Sequence, residues 1–149
     1  MALRLFESGY NCSQSVFMAY SDLYGLDQST SAKLATSFGG GMGRLREVCG
    51  AVSGMFLVLG LHYPADEVGN KRAKTINYQA VQRTAKIFEK EMGSYICADL
   101  LNIRREPQEF TPSDRNDQYY QLRPCSRCVL RAAEIVGQEI CVGSTDLAI

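Results

Sequence analysis

A glycine-dense loop that runs without a break into a cysteine and then an apolar helix sets the terms for this chain: residues 38–61 read FGGGMGRLREVCGAVSGMFLVLGL. Glycine adopts positive φ freely and lets other backbone come close, so 39–43 is expected to form a tight turn with exposed amides that ends one helix and aims the next. From about Val48, apolar residues recur at helical spacing, at Val48, Val52, Met55, Phe56, Leu59 and Leu61. Gly50 and Gly54, four apart, leave one flank of that helix without side-chain bulk, free to lie against another backbone. Cys49 falls in its first turn, where unpaired N–H groups and the helix dipole favour a thiolate over a thiol. The alternative for Cys49 is a small, inert core residue.

Composition narrows the function classes. A chain of 149 residues, 46% hydrophobic, is long enough for one domain with a substantial core. Its 16 basic and 16 acidic residues cancel, which removes the electrostatic reason to expect binding to nucleic acid or an anionic membrane. The most apolar run, 51–61, is broken by Ser53 and is shorter than the roughly 20 residues of a spanning helix. The opening MALRLFESGYNC lacks the apolar region and cleavage site of a signal peptide, so a cytoplasmic protein is expected. In that compartment six cysteines point to metal binding or redox catalysis rather than to structural disulfides.

In chain order, a short helix carrying Leu3, Leu5 and Phe6 stops at Gly9, and Asn11 caps a second that begins at Cys12 and runs to about Gly25. Ser29 or Ser31 caps a connecting helix with Ala32, Leu34, Ala35 and Phe38. After Leu61 the sequence HYPAD breaks the chain, and the longest helix is expected from near Asp66 to Met92, with Gly93 as its C-cap and its many lysines, arginines and glutamates as a solvated face. Ser94 caps a short helix with Cys97 in its first turn. Residues 102–124 are polar, contain three prolines and read as a long surface loop. Cys125 then opens a helix that Gly137 ends, leaving Cys141 in a peripheral tail. No segment alternates with period two. The expectation is a single-domain, all-α helical bundle with a buried central helix after the glycine loop.

The motifs GYNCSQSV, FGGGMGR, EVCGAVSGMFLVLGL and SYICADLL, followed by a cysteine shortly before AAEI, occur in one order along nearly the whole chain. In this the chain resembles the C_GCAxxG_C_C (CGAxxG motif) family of redox-active proteins. Four cysteines characterise that family, and residue by residue the resemblance implies Cys12, Cys49, Cys97 and Cys125, with Cys128 and Cys141 as additions. It implies redox chemistry or cluster binding without naming a substrate.

The residues add that all four cysteines fall at or within one turn of an expected helix start, where negative charge is stabilised by about 0.3–1 kcal/mol at exposed sites. Convergence of the four would hold a group of thiolates or an anionic cluster, with the amides of Gly40 and Gly41 and the cation of Arg44 or Arg46 beside it. Three functions fit. In the first, Cys12, Cys49, Cys97 and Cys125 bind an iron–sulfur cluster for electron transfer. In the second, the protein is a thiol–disulfide oxidoreductase with Cys125 as nucleophile and Cys128 as resolving thiol, or with a pair from the dispersed set. In the third, the cysteines hold zinc in a structural or interaction module, although a single CxxC is half of the usual signature. A c-type haem is excluded because Val129 follows Cys128 where CxxCH needs histidine. His62 reads as an ordinary helix-end residue. The expected partner is a redox protein or a small thiol, with a homodimer left open.

Overall fold

The structure, a computed structural model, describes residues 1–146, and among them every regular element is helical. The order is α1 (Ala2–Glu7), α2 (Cys12–Met18), α3 (Gln28–Ala35), the single distorted turn α4 (Gly39–Met42), α5 (Gly50–His62), α6 (Lys71–Met92), α7 (Cys97–Leu101), α8 (Asp117–Leu122) and α9 (Cys125–Asp146). This is the all-α domain that the periodicity predicts.

α5 is the centre. Ala51, Val52, Met55, Val58 and Leu59 have no exposed surface, and each fully buried large apolar side chain stabilises the fold by about 1.5–3 kcal/mol relative to an exposed one. Around α5 pack α2, α9 and α6, and α9 in turn touches α1, α2 and α6. The long helix α6 therefore divides its contacts between α5 and α9. Its inward residues are Ala80, Thr84 and Phe88, all with no exposed surface.

Several boundaries differ from the sequence reading. α2 ends at Met18, and a separate 3-10 turn, Ser21–Tyr24, closes on Gly25 with φ 77. Between them Tyr20 leaves the helical path at φ −130 and donates its hydroxyl to the Ala133 carbonyl of α9 at 2.7 Å. Asp27, not a serine, caps α3 by accepting from Thr30 N at 2.9 Å. α6 starts at Lys71 because Gly69 turns at φ 84 and Asn70 then caps Ala73 N at 3.0 Å. The expected loop of 102–124 contains α8, capped by Asn116.

Gly137 does not end α9, which continues to Asp146 with Cys141 exposed on it; residues 147–149 of the expected tail lie outside the described residues. A Cβ at Gly137 would collide with the Tyr20 hydroxyl, so this glycine serves close approach.

Candidate functional site

Two backbone contacts set Cys49 beside Cys97. Val48 and Ile96 form an isolated antiparallel bridge, with Cys49 N donating to Tyr95 O at 2.8 Å and Cys97 N to Glu47 O at 2.7 Å. Cys49 is the N-cap residue of α5 and Cys97 opens α7. Ser94, expected to cap α7, acts one step earlier: its hydroxyl accepts from Ile96 N at 3.0 Å and donates to Asp99 at 2.8 Å, and Ile96 is the N-cap residue.

The bare flank of α5 brings in Cys12. A Cβ on Gly54 would stand 2.6 Å from Ser13 O, and one on Gly50 would stand 3.1 Å from Cys12 Cβ and 2.9 Å from Phe38 O. The start of α2 is fixed by a capping box in which Asn11 accepts from Gln14 N and Gln14 from Asn11 N, each at 3.0 Å. Cys125 and Cys128 come from the first turn of α9, where Cys128 N closes on Pro124 O at 2.9 Å.

These five cysteines line one cavity of about 300 Å³. Gly39, Gly40 and Gly41 form part of its wall. A run of left-handed residues, Gly40, Gly41, Met42, Gly43, Arg44 and Arg46, with φ between 60 and 69, folds the loop back on itself. Gly41 is there because nothing larger fits: a Cβ would lie 2.5 Å from Cys97 Cβ.

The sulfurs form two pairs. The neighbouring Cys12 thiol is the largest influence on Cys125 and, helped by the nearby Arg123 and Arg115 and by the Tyr119 hydroxyl against the opposing effect of burial, lowers the Cys125 pKa to about 7. Cys12 is correspondingly held as a thiol, its pKa well above the ordinary value. Cys128 stands in the same relation to Cys49: it is the largest influence lowering the Cys49 pKa, while Cys128 itself is strongly raised. The first-turn amides of Ala51 and Val52 pull Cys49 in the same direction, although neither makes a side-chain cap. Burial raises Cys97, against the opposing bond from Arg46 Nη1 to its sulfur at 3.5 Å.

The cavity wall carries four arginines, Arg44, Arg46, Arg115 and Arg123, and no carboxylate. Arg44 ties the chain segment between α7 and α8 over the site, donating from Nε to Glu109 O at 2.6 Å and from Nη1 to Ser113 Oγ at 3.2 Å, while its own carbonyl accepts from Gln108 N at 3.0 Å. Arg115 lies over the rings of Phe6 and Tyr119, 4.5 and 4.7 Å from their centroids, and Arg123 also covers Tyr119 at 4.7 Å. Burial, with the neighbouring thiol groups Cys125 and Cys12 next, raises the Tyr119 pKa to about 12.

The chain matches the family described as Putative redox-active protein (C_GCAxxG_C_C) over residues 10–139. It belongs to that family. No curated protein and no solved structure matches it.

For this family member, the four cysteines implied by the resemblance lie together at the cavity, and Cys128 lies there with them. Arg44, Arg46, Gly40 and Gly41 also line this cavity. Cys141 is outside this cavity and exposed. His62 closes α5, away from the cavity, with Nδ1 2.9 Å from the Tyr24 hydroxyl and its pKa lowered by burial. Sequence reasoning missed Arg115, Tyr119 and Arg123, which sit on or beside α8. The signal available was Asn116, a capping residue ahead of Tyr119, Tyr120 and Leu122. None of the described helices is long and apolar enough to cross a membrane.

Proposed function

We propose that this redox-family protein is a thiol–disulfide oxidoreductase whose nucleophile is Cys125 and whose resolving thiol is Cys12. The observation that carries this reading is the meeting of Cys12 and Cys125 on the wall of one cavity, where the two thiols act on each other so that Cys125 is lowered and Cys12 raised. A thiol with a pKa near ambient pH is the best attacking group, since a lower value costs nucleophilicity and a higher one costs thiolate. Cys125 is also the least buried of the five, half-buried where the others are buried. Cys49 with Cys128 forms a second pair deeper in the core that can take up the oxidising equivalent by exchange. The test is titration of the fully reduced protein with a small disulfide: consumption of one equivalent with formation of a Cys12–Cys125 disulfide in the peptide map supports the reading, and no consumption refutes it.

A second reading, an electron carrier with an iron–sulfur cluster on Cys12, Cys49, Cys97 and Cys125, draws on the same cavity. In its favour, thiolate donors are the right kind for a cluster, and the arginines would offset its negative charge. Against a ready site, no three Cys, His, Asp or Glu side chains among the described residues are grouped as around a metal ion, so the two sulfur pairs would have to open. The same observation bears on zinc in a structural or interaction module. An absorption spectrum of anaerobically purified protein with iron and zinc analysis separates these readings from the dithiol one.

A further inference from the structure

The positive charge of the cavity exceeds what its own sulfurs need. Arg115 and Arg123 act on Cys125, Arg46 bonds Cys97, whose sulfur is a neutral thiol, and Arg44 stands between them, acted on by the charges of both Arg46 and Arg123. Among the described residues the other hydrogen-bond partners of these arginines are neutral: Arg44 and Arg123 share Ser113 Oγ, at 3.2 and 3.4 Å, Arg44 also reaches Glu109 O, and Arg115 reaches Tyr10 O at 3.4 Å, while the Glu109 carboxylate acts on Arg44 from beyond ion-pair distance. No ion pair among the described residues involves any of the four. Arg46 is 2% exposed and its Nε has no acceptor, and Nη1 of Arg115 is likewise buried without one.

A buried guanidinium N–H left unpaired is costly, and a group of such donors around a cavity is satisfied by an anion that enters it. Guanidinium groups match carboxylates in particular, because their planar fork offers two parallel donors. Resting on the dithiol reading above, we infer that the cavity takes a small aliphatic disulfide bearing carboxylates, with a carboxylate held by Arg44 and Arg46 and the sulfur–sulfur bond presented to Cys125. A cavity of about 300 Å³ admits a molecule of that size and not a folded protein segment.

The chemistry balances within the pair. The Cys125 thiolate attacks one substrate sulfur, the substrate S–S bond breaks, and the leaving thiolate takes a proton from water. The Cys12 thiol then gives its proton to the second leaving sulfur as its own sulfur bonds to Cys125. Two thiols depart, and the two electrons they gained come from Cys12 and Cys125, which end as a disulfide.

Two measurements on the full chain test this. In the first, the reduced protein is alkylated with iodoacetate or iodoacetamide, which differ in charge, and the products at Cys125 and at exposed Cys141 are quantified by peptide mass spectrometry. The iodoacetate-to-iodoacetamide ratio at Cys125 should exceed that at Cys141 by about tenfold or more, the counterpart of one charge-assisted hydrogen bond. Arg44→Gln and Arg46→Gln should each pull it back toward the Cys141 ratio, whereas Arg72→Gln, on the outer face of α6, should not. Because Arg46 is buried and its variant can fail to fold, Arg44→Gln carries the test independently. In the second, 3,3′-dithiodipropionate should be reduced faster than neutral bis(2-hydroxyethyl) disulfide, and cystamine slower than either. Equal ratios at the two cysteines, or equal rates for the anionic and neutral disulfides, would overturn the anionic substrate while leaving the dithiol reading intact. A preserved iodoacetate preference with no reduction of any disulfide would overturn the disulfide as substrate and the dithiol reading with it.

Discussion

Gly54 lies against Ser13 so closely that a Cβ at the glycine would stand 2.6 Å from the Ser13 carbonyl oxygen. Backbone cannot yield as the end of a side chain can, so any larger residue must push α5 away from α2. One turn earlier Gly50 faces Cys12, and the same displacement would pull Cys12 from Cys125. Gly54→Leu should therefore destabilise by at least the roughly 1–3 kcal/mol of an overpacked core. Thermal and urea melts measure it, and a variant that melts like wild type would show that the close approach is not needed.

The glycine in α9 inverts an ordinary rule. Replacing a mid-helix glycine by alanine usually gains about 0.5–1 kcal/mol, yet at Gly137 the new methyl would run into the Tyr20 hydroxyl. Gly137→Ala should lower the melting temperature. Adding Tyr20→Phe, which removes the colliding oxygen, should recover part of the loss, and a double-mutant cycle with no coupling would sink the explanation.

Within the loop, Gly41 and Gly40 make a paired comparison. Both have positive φ, but a side chain at Gly41 meets Cys97 and the backbone of Arg46 and Glu47, whereas one at Gly40 meets only the flexible Arg44 side chain, at 3.0 Å. Gly41→Val should cost more stability and more Cys125 reactivity than Gly40→Val, as read by melts and alkylation rates. The reverse order would mean that the loop reaches the sulfurs by another route.

The Cys125 pKa is lowered from its ordinary value to about 7, chiefly by the Cys12 thiol beside it. Its alkylation rate should rise with pH to half its plateau near 7, and Cys12→Ala should move that midpoint upward. The linked stability has a definite sign. Since the folded pKa is the lower one, the unfolded chain binds more protons between the two values, so this contribution is complete above the ordinary pKa and is lost as pH falls through about 7. Cys12 and Cys128, raised instead, stabilise at lower pH and lose that contribution as pH climbs toward their folded values. A midpoint at Cys125 unmoved by Cys12→Ala would show that the arginines, not the thiol, set it.

How much of this was legible in the sequence follows from the range of each cause. Local causes could be read: Asn11 and Gln14 announce the start of α2, and the Gly50/Gly54 flank announces a close helix contact. The partner of that flank could not, because nothing in residues 50–54 says that it meets Ser13 rather than α6. Gly137 misled for the same reason, since its need is set by Tyr20, over a hundred positions away. α8 was hidden by prolines on either side of a six-residue helix, and the arginines on and beside it went with it. Cysteine convergence was legible as a pattern of helix starts, but the pairing of the sulfurs depends on how α2, α5 and α9 pack.

That pairing decides the last prediction. From the CxxC spacing alone, Cys128 is the resolving thiol for Cys125, being one turn further into the same helix. The strongest mutual influences among the sulfurs instead run between Cys12 and Cys125 and between Cys128 and Cys49. If Cys12 resolves, Cys12→Ser should accumulate a mixed disulfide between Cys125 and a small thiol, visible as an added mass on the Cys125 peptide, while Cys128→Ser should still clear it. Trapping in Cys128→Ser alone would return the role to the CxxC, and Cys125→Ser should abolish trapping in either background. An iron–sulfur carrier predicts otherwise: Cys12→Ser and Cys125→Ser would both bleach the visible spectrum of anaerobically prepared protein. Cys128→Ser would leave it almost unchanged, because Cys12, Cys49, Cys97 and Cys125 already supply four thiolates. A dithiol enzyme has no such spectrum to lose, so one set of three serine variants, read by mass and by absorbance, assigns both the chemistry and the resolving sulfur.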